Sequence, residues 1–139
     1  MKILVDANIA LDVLLGRKPF VVIATQILGL SKGGFEIFIS ASSITDIYYI
    51  IHREQKSKAV ATALIKDLLK SVCIAAVTGT EINRAIDLEW GDFEDAVLYA
   101  TGESIAVNYI VTRNPSDFAS ASLPVVTPEE LLNIITRSV

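Results

Sequence analysis

Lys2-Ile3-Leu4-Val5-Asp6-Ala7-Asn8-Ile9-Ala10 runs from a short apolar strand, through a single acid, into a helix-like stretch. A carboxylate at the tip of a buried strand costs free energy unless it is paired, caps a helix or binds a metal. Similar boundaries recur along the chain. Asp46 lies just inside an apolar helix, Asp92 and Asp95 open another, and Asn114 follows Tyr109-Ile110-Val111-Thr112. Four such places in one small chain predict a shared pocket that holds a cation.

Outward from that stretch, short β-like runs alternate with helical ones, the pattern of an α/β domain with a parallel sheet. Strands are predicted at Ile3–Val5, Glu36–Ser40, Val72–Val77, Tyr109–Thr112 and, more weakly, Val125–Val126. Their continuous apolar character suits strands covered by helices on both faces. Helices are predicted at Ala7–Leu15, Phe20–Lys32, Ser43–Arg53, Lys56–Lys70, Glu81–Leu88, Phe93–Ile105 and Pro128–Arg137. Gly33-Gly34 is suited to end the second helix. Thr127-Pro128-Glu129-Glu130 combines an N-cap, a first-turn proline and a capping-box glutamate. The expected architecture is a three-layer α/β/α fold around a central, mainly parallel sheet of four to five strands. One domain is expected across residues 1–139.

Composition narrows the function classes. Hydrophobic residues make up 52% of the chain, yet no apolar run approaches the roughly 20 residues a membrane helix needs. The start Met-Lys-Ile-Leu-Val-Asp lacks the basic region and apolar core of a signal peptide. Cys73 is the single cysteine, which fits a reducing cytoplasm. The apolar surplus points to a dimer face or a partner groove. A net charge of −4 argues against a general nucleic-acid-binding surface. It does not argue against a nuclease, because clustered acids repel phosphate only until a divalent cation reverses the local sign.

Each acid also has a plain structural reading. Asp6 fits the N-cap of the first helix, and Ser43-Ile44-Thr45-Asp46 fits a capping box, as does Asp92-Phe93-Glu94-Asp95. Asn114-Pro115-Ser116-Asp117 fits an ordinary turn. Together they say more. In an open parallel sheet, ligands bind outside the carboxyl ends of the strands, and Asp6, Asp46 and Asn114 all belong to that edge. Asp92 and Asp95, three apart, share one face of a helix's first turn. An all-oxygen set suits Mg²⁺ or Mn²⁺, and with one His and one Cys no zinc spacing exists.

The segments Val5-Asp6-Ala7-Asn8, Ser40 through Tyr49, Asp92-Phe93-Glu94-Asp95-Ala96, and Val111-Thr112-Arg113-Asn114 with Asp117-Phe118 resemble the PIN-domain ribonucleases in order and spacing. The resemblance is to the bacterial branch marked by the Asp-Phe-Glu-Asp-Ala segment. It implies a Mg²⁺- or Mn²⁺-dependent endoribonuclease leaving a 5′-phosphate, commonly the toxin of a toxin–antitoxin pair. It further implies a homodimer and inhibition by a small antitoxin protein. Carried over by position, Asp6 resembles the first metal carboxylate and Asp95 the third, with Asp92 an accessory acid. Asp46 stands where glutamate is common, and Asn114 where aspartate is common. Asn8 and Thr112 resemble groups that orient the carboxylates, and Asp117 resembles a supporting acid. Those two departures, at positions 46 and 114, motivate an alternative: a weakly active or inactive interaction module with the same fold.

Other residues carry less. His52 reads as a surface or interface histidine. Cys73 reads as a small apolar residue in a buried strand. Trp90 is a candidate to stack on a base, with packing at a loop edge as the competing reading. Arg17, Lys18 and Arg113 flank the site loops and are the candidates for RNA phosphate contacts.

Overall fold

The structure, a computed structural model, describes residues 1–118 and 120–137. Its core is a five-stranded parallel sheet of β1 (Lys2–Val5), β2 (Glu36–Ser40), β3 (Cys73–Ala75), β4 (Tyr109–Val111) and β5 (Val125–Val126). The spatial order is β3-β2-β1-β4-β5. Strand order therefore reverses at β1, which pairs with β2 on one side and β4 on the other. A crevice opens outside the carboxyl ends of the strands at such a reversal. Asp6 and Thr112 are the residues that follow β1 and β4 there, and the Asp6 N–H donates to the Val111 carbonyl at 3.0 Å.

The described helices are α1 (Ala7–Leu14), α2 (Val21–Gly29), α3 (Ala41–Gln55), α4 (Lys58–Leu68), α5 (Gly79–Leu88), α6 (Phe93–Ser104) and α7 (Pro128–Arg137). Alternation along the strands divides the core. Ile3, Val5, Ile37, Ile39 and Val111 pack into one buried cluster with Ile9, Ile27 and Ile47 of the helices. Leu4 and Ile110 point the other way, into a cluster with Leu98 and Tyr99 of α6. Gly102 lets α6 lie close over β4, since a Cβ there would meet Ile110 and Val107 at 3.2 Å.

Several boundaries move for local reasons. α3 begins at Ala41 because Ser40, not Ser43, is its N-cap, with Ser40 Oγ accepting from the Ser43 N–H at 3.1 Å. Lys56 closes α3 in the left-handed region at φ 51°, so α4 starts only at Lys58 behind the Ser57 cap. β3 is three residues long and pairs on one side only. Cys73 is consequently exposed rather than buried, correcting the sequence expectation. The α7 cap is as expected, with Thr127 and Glu130 exchanging N–H bonds at 3.1 and 3.2 Å. Among the described residues no helix is long and apolar enough to cross a membrane.

Candidate active site

Asp6 is anchored from two sides. Its carboxylate accepts from the Asn8 N–H at 3.4 Å, capping α1, and from the Thr112 hydroxyl at 2.9 Å. Residues at the ends of two adjacent strands thus share one bond across the crevice. Asp46 sits in the second turn of α3, clear of the cap, so it is free for another role. Asp92 is the N-cap of α6, accepting from the Asp95 N–H at 3.0 Å. The cap fixes the phase of the helix, and its next residues, Glu94 and Asp95, turn toward the crevice.

Two depressions share these acids. The first, about 260 Å³, is lined by Asp6, Asp46, Glu94 and Asp95 together with Ser40, Ser42 and Ser43. The second, about 310 Å³, is bordered again by Asp6, Asp46 and Glu94, now with Asn8 and Tyr49. Asp6, Asp46 and Glu94 therefore form a ridge where the two hollows adjoin, with Asp95 on the side of the first. Burial first, then the charges of Asp92, Asp6, Asp117 and Glu94, push Asp95 up to about 6. Glu94 is also raised, chiefly by Asp46 across the ridge and then by burial, Asp92 and Asp6. Mutual influence of this kind marks carboxylates that share a site.

The donor chemistry, carboxylate and hydroxyl oxygens without His or Cys, suits a hard divalent cation. Among the described residues, however, no three His, Cys, Asp or Glu side chains are grouped so that they could hold a metal ion as they stand. The acids face a common space without converging on one point.

A PIN domain family model matches residues 2–116. The chain belongs to the PIN domain family. Over 137 residues this PIN domain is 29% identical to Ribonuclease VapC1 of Aquifex aeolicus (strain VF5), covering 93% of this chain and 92% of that relative. It also resembles a chain of a toxin–antitoxin complex from Klebsiella pneumoniae, with 25% identity and a TM-score of 0.65 over 90% of this chain and 96% of the other. VapC20 of Mycobacterium tuberculosis, a sarcin–ricin loop cleaving toxin, superposes with a TM-score of 0.68 at 16% identity, over 85% of this chain and 94% of that one. At that identity the last likeness speaks for the fold alone.

The PIN domain places the remaining candidates unevenly. Asn114 stands on the same sheet edge, but it is exposed and lines neither hollow; its N–H donates to Thr112 Oγ1 at 3.3 Å. Asp92 lines neither hollow either, because it is occupied as a cap. Asp117 lies in a 3₁₀ turn, Pro115–Phe118, within electrostatic reach of Asp95. Lys18 is exposed.

Arg113 and Arg17, both half-buried, are engaged in ion pairs. Both pair with Asp12, a fully buried carboxylate of α1, and Arg17 also reaches Glu54 at 3.6 Å. Arg113 Nε stands 3.2 Å from Asp12 Oδ2 and its Nη2 donates to Oδ1 at 3.4 Å. The guanidinium lies 4.0 Å over the Phe20 ring. Burial raises the proton affinity of Asp12 against the opposing pull of Arg113 and Arg17. Sequence reading passed over Asp12, although an acid among Ile9, Ala10 and Leu11 on a core-facing helix is itself a signal of a buried partner. Glu94, one of two residues between Asp92 and Asp95, was likewise not among the sequence candidates.

The raised Asp95 has a consequence for stability. Its carboxyl holds a proton up to about pH 6 when folded and has an ordinary value of 3.8. Across that window the folded state binds more protons than the unfolded one, so this group's contribution to stability is lost as pH rises. Urea midpoints compared between about pH 4 and 7 should decline more in the wild type than in Asp95→Asn. An equal decline in both would contradict the placement of Asp95.

Proposed function

We propose that this chain is a divalent-metal-dependent endoribonuclease, the toxin of a toxin–antitoxin pair, acting as one nuclease domain. The observation that carries this reading is the ridge of Asp6, Asp46 and Glu94 with Asp95 beside it, drawn from β1's end, α3 and α6 onto the sheet edge at the strand-order reversal. Membership in the PIN domain family and the likeness to a relative named a ribonuclease support it.

Asp6, Asp46 and Asp95 would hold a Mg²⁺ or Mn²⁺ ion by drawing together from the common space they line, since they do not converge as they stand, with Glu94 beside them. Such an ion, when bound, supplies charge neutralisation for the phosphodiester and lowers the pKa of a water nucleophile. The chain's own part is orientation. Thr112 and the Asn8 N–H fix the Asp6 carboxylate, and each of its oxygens keeps further acceptor capacity. The N-termini of α1 and α6 stabilise negative charge at the acids they carry. Burial and the neighbouring acids raise the proton affinity of Asp95 while no cation is there, so taking up the ion is coupled to release of a proton. Asn114 lies on the same edge to supply a neutral oxygen. A cytoplasmic location, a homodimer and a small antitoxin protein complete the reading, supported by the unpaired cysteine and by the toxin–antitoxin complex among the structural relatives.

The test is cleavage of single-stranded RNAs by the full chain purified free of any partner, with Mn²⁺ or Mg²⁺ and with EDTA. Cleavage in metal that EDTA abolishes is expected. No cleavage of any RNA in metal would contradict the enzyme, and cleavage undiminished by EDTA would contradict the metal.

A further inference from the structure

The acid ridge separates two hollows, and each has its own exposed aromatic. The first hollow is polar on one side, where Ser40, Ser42 and Ser43 line it, and apolar on the other, where Ile82, Phe93 and Val97 do. Phe93 is the first residue of α6 and its surface is 49% exposed. The second hollow is bordered by Tyr49, which is 68% exposed. The Tyr49 ring meets Tyr48 edge-on, with centroids 5.6 Å apart and planes at 89°, which holds its orientation and leaves its surface open. A single exposed apolar side chain is ordinary on a protein surface, but these two stand one in each of the hollows that share the acids. Neither is needed to fill the core. By contrast Trp90, the aromatic that the sequence offers for stacking, is packed between Tyr99 and Phe118 at 5.0 and 5.7 Å.

We propose that Phe93 and Tyr49 are two stacking platforms, one on each side of the acid ridge, for unpaired nucleobases flanking the scissile phosphate. Both bases flanking the scissile bond must then be unpaired and free to splay apart. The inference takes its substrate from the ribonuclease reading and deepens it. An aromatic face accepts any base, so stacking positions the strand without specifying its sequence. With Asp6, Asp46 and Glu94 common to both hollows, a strand lying across the ridge puts a backbone phosphate over the acids and a base into each hollow. Ser42 and Ser43 line the Phe93 hollow with their hydroxyls bonded to Ser40 Oγ at 3.0 and 2.8 Å, and the exposed Ser42 keeps capacity for one further bond to a base edge. Duplex RNA, with its bases stacked on one another, gives neither platform a face to bind.

The experiment uses the full chain with a single-stranded oligoribonucleotide cleaved at one bond, carrying 2-aminopurine or an abasic residue on either side of that bond. Phe93→Leu and Tyr49→Leu should each lower kcat/KM by about tenfold or more. Each loss should vanish when the base on its own side is abasic, and Phe93→Trp and Tyr49→Phe should restore activity. In wild type, 2-aminopurine fluorescence should be quenched on both sides, and each Leu variant should lose quenching on one. Quenching is read without cleavage, so a wild type that quenches but does not cut upholds the platforms and sinks the enzyme. Normal cleavage with both Leu variants within twofold of wild type overturns the platforms and leaves the enzyme standing. Leu variants that quench and cut normally but lose a co-purifying polypeptide likewise overturn it, in favour of a protein contact. Absence of both quenching and cleavage overturns both.

Discussion

Asp6→Asn is expected to abolish RNA cleavage, by at least about a hundred- to a thousandfold, while the protein remains folded. The geometry separates the two effects. Asparagine keeps one oxygen for the Asn8 N–H, now bonded to Oδ1 at 3.4 Å, and turns its NH2 to Thr112, whose hydroxyl now donates to Oδ2 at 2.9 Å and can accept instead. It is also as good an N-cap as aspartate. What it removes is the negative charge on the ridge, and with it part of the repulsion that raises Asp95 and Glu94. The variant should therefore be at least as stable as wild type, the trade between activity and stability expected where like charges are held together for function. Urea unfolding alongside the cleavage assay checks both halves. A variant that cuts RNA at near wild-type rate would remove Asp6 from the chemistry.

Asp12→Ala is expected to lower stability by about 1–3 kcal/mol, less than for a fully buried pair because Arg113 and Arg17 remain partly solvated. It removes the buried partner of Arg113 and leaves a half-buried guanidinium over the Phe20 ring without its counter-charge. The loss should not be read as the net worth of the pair, because desolvation offsets much of the attraction. The double variant Asp12→Leu with Arg113→Met should accordingly recover most of what the single change loses. Urea denaturation with unchanged slope measures the difference. A single variant as stable as wild type would show that the pair is not buried as described.

The fold was legible where pattern and punctuation agreed. Apolar strands at Ile3–Val5, Glu36–Ser40 and Tyr109–Thr112, separated by helices with recognisable caps, specify an open parallel sheet, and five parallel strands are found. The third strand was overextended because an edge position looks the same in sequence as a buried one; Cys73 and Ile74 face solvent for lack of a neighbour beyond β3. At the ridge, Asp6, Asp46 and Asp95 could be singled out as acids at element boundaries. Glu94 could not, since whether a first-turn residue faces the crevice depends on helix phase, and Asp92 sets that phase by capping. That Arg17 and Arg113 both share Asp12 is likewise hidden in the sequence. An ion pair between residues 101 apart in sequence leaves no local trace.

Whether the acids of β1's end, α3 and α6 make one ion-holding centre is tested most directly by titrating the full chain with Mn²⁺ and following free ion by electron paramagnetic resonance. Wild type should take up Mn²⁺ saturably, and Asp6→Asn, Asp46→Asn and Asp95→Asn should each weaken uptake by about tenfold or more. No saturable uptake, or uptake that all three variants leave unchanged, would contradict the shared centre.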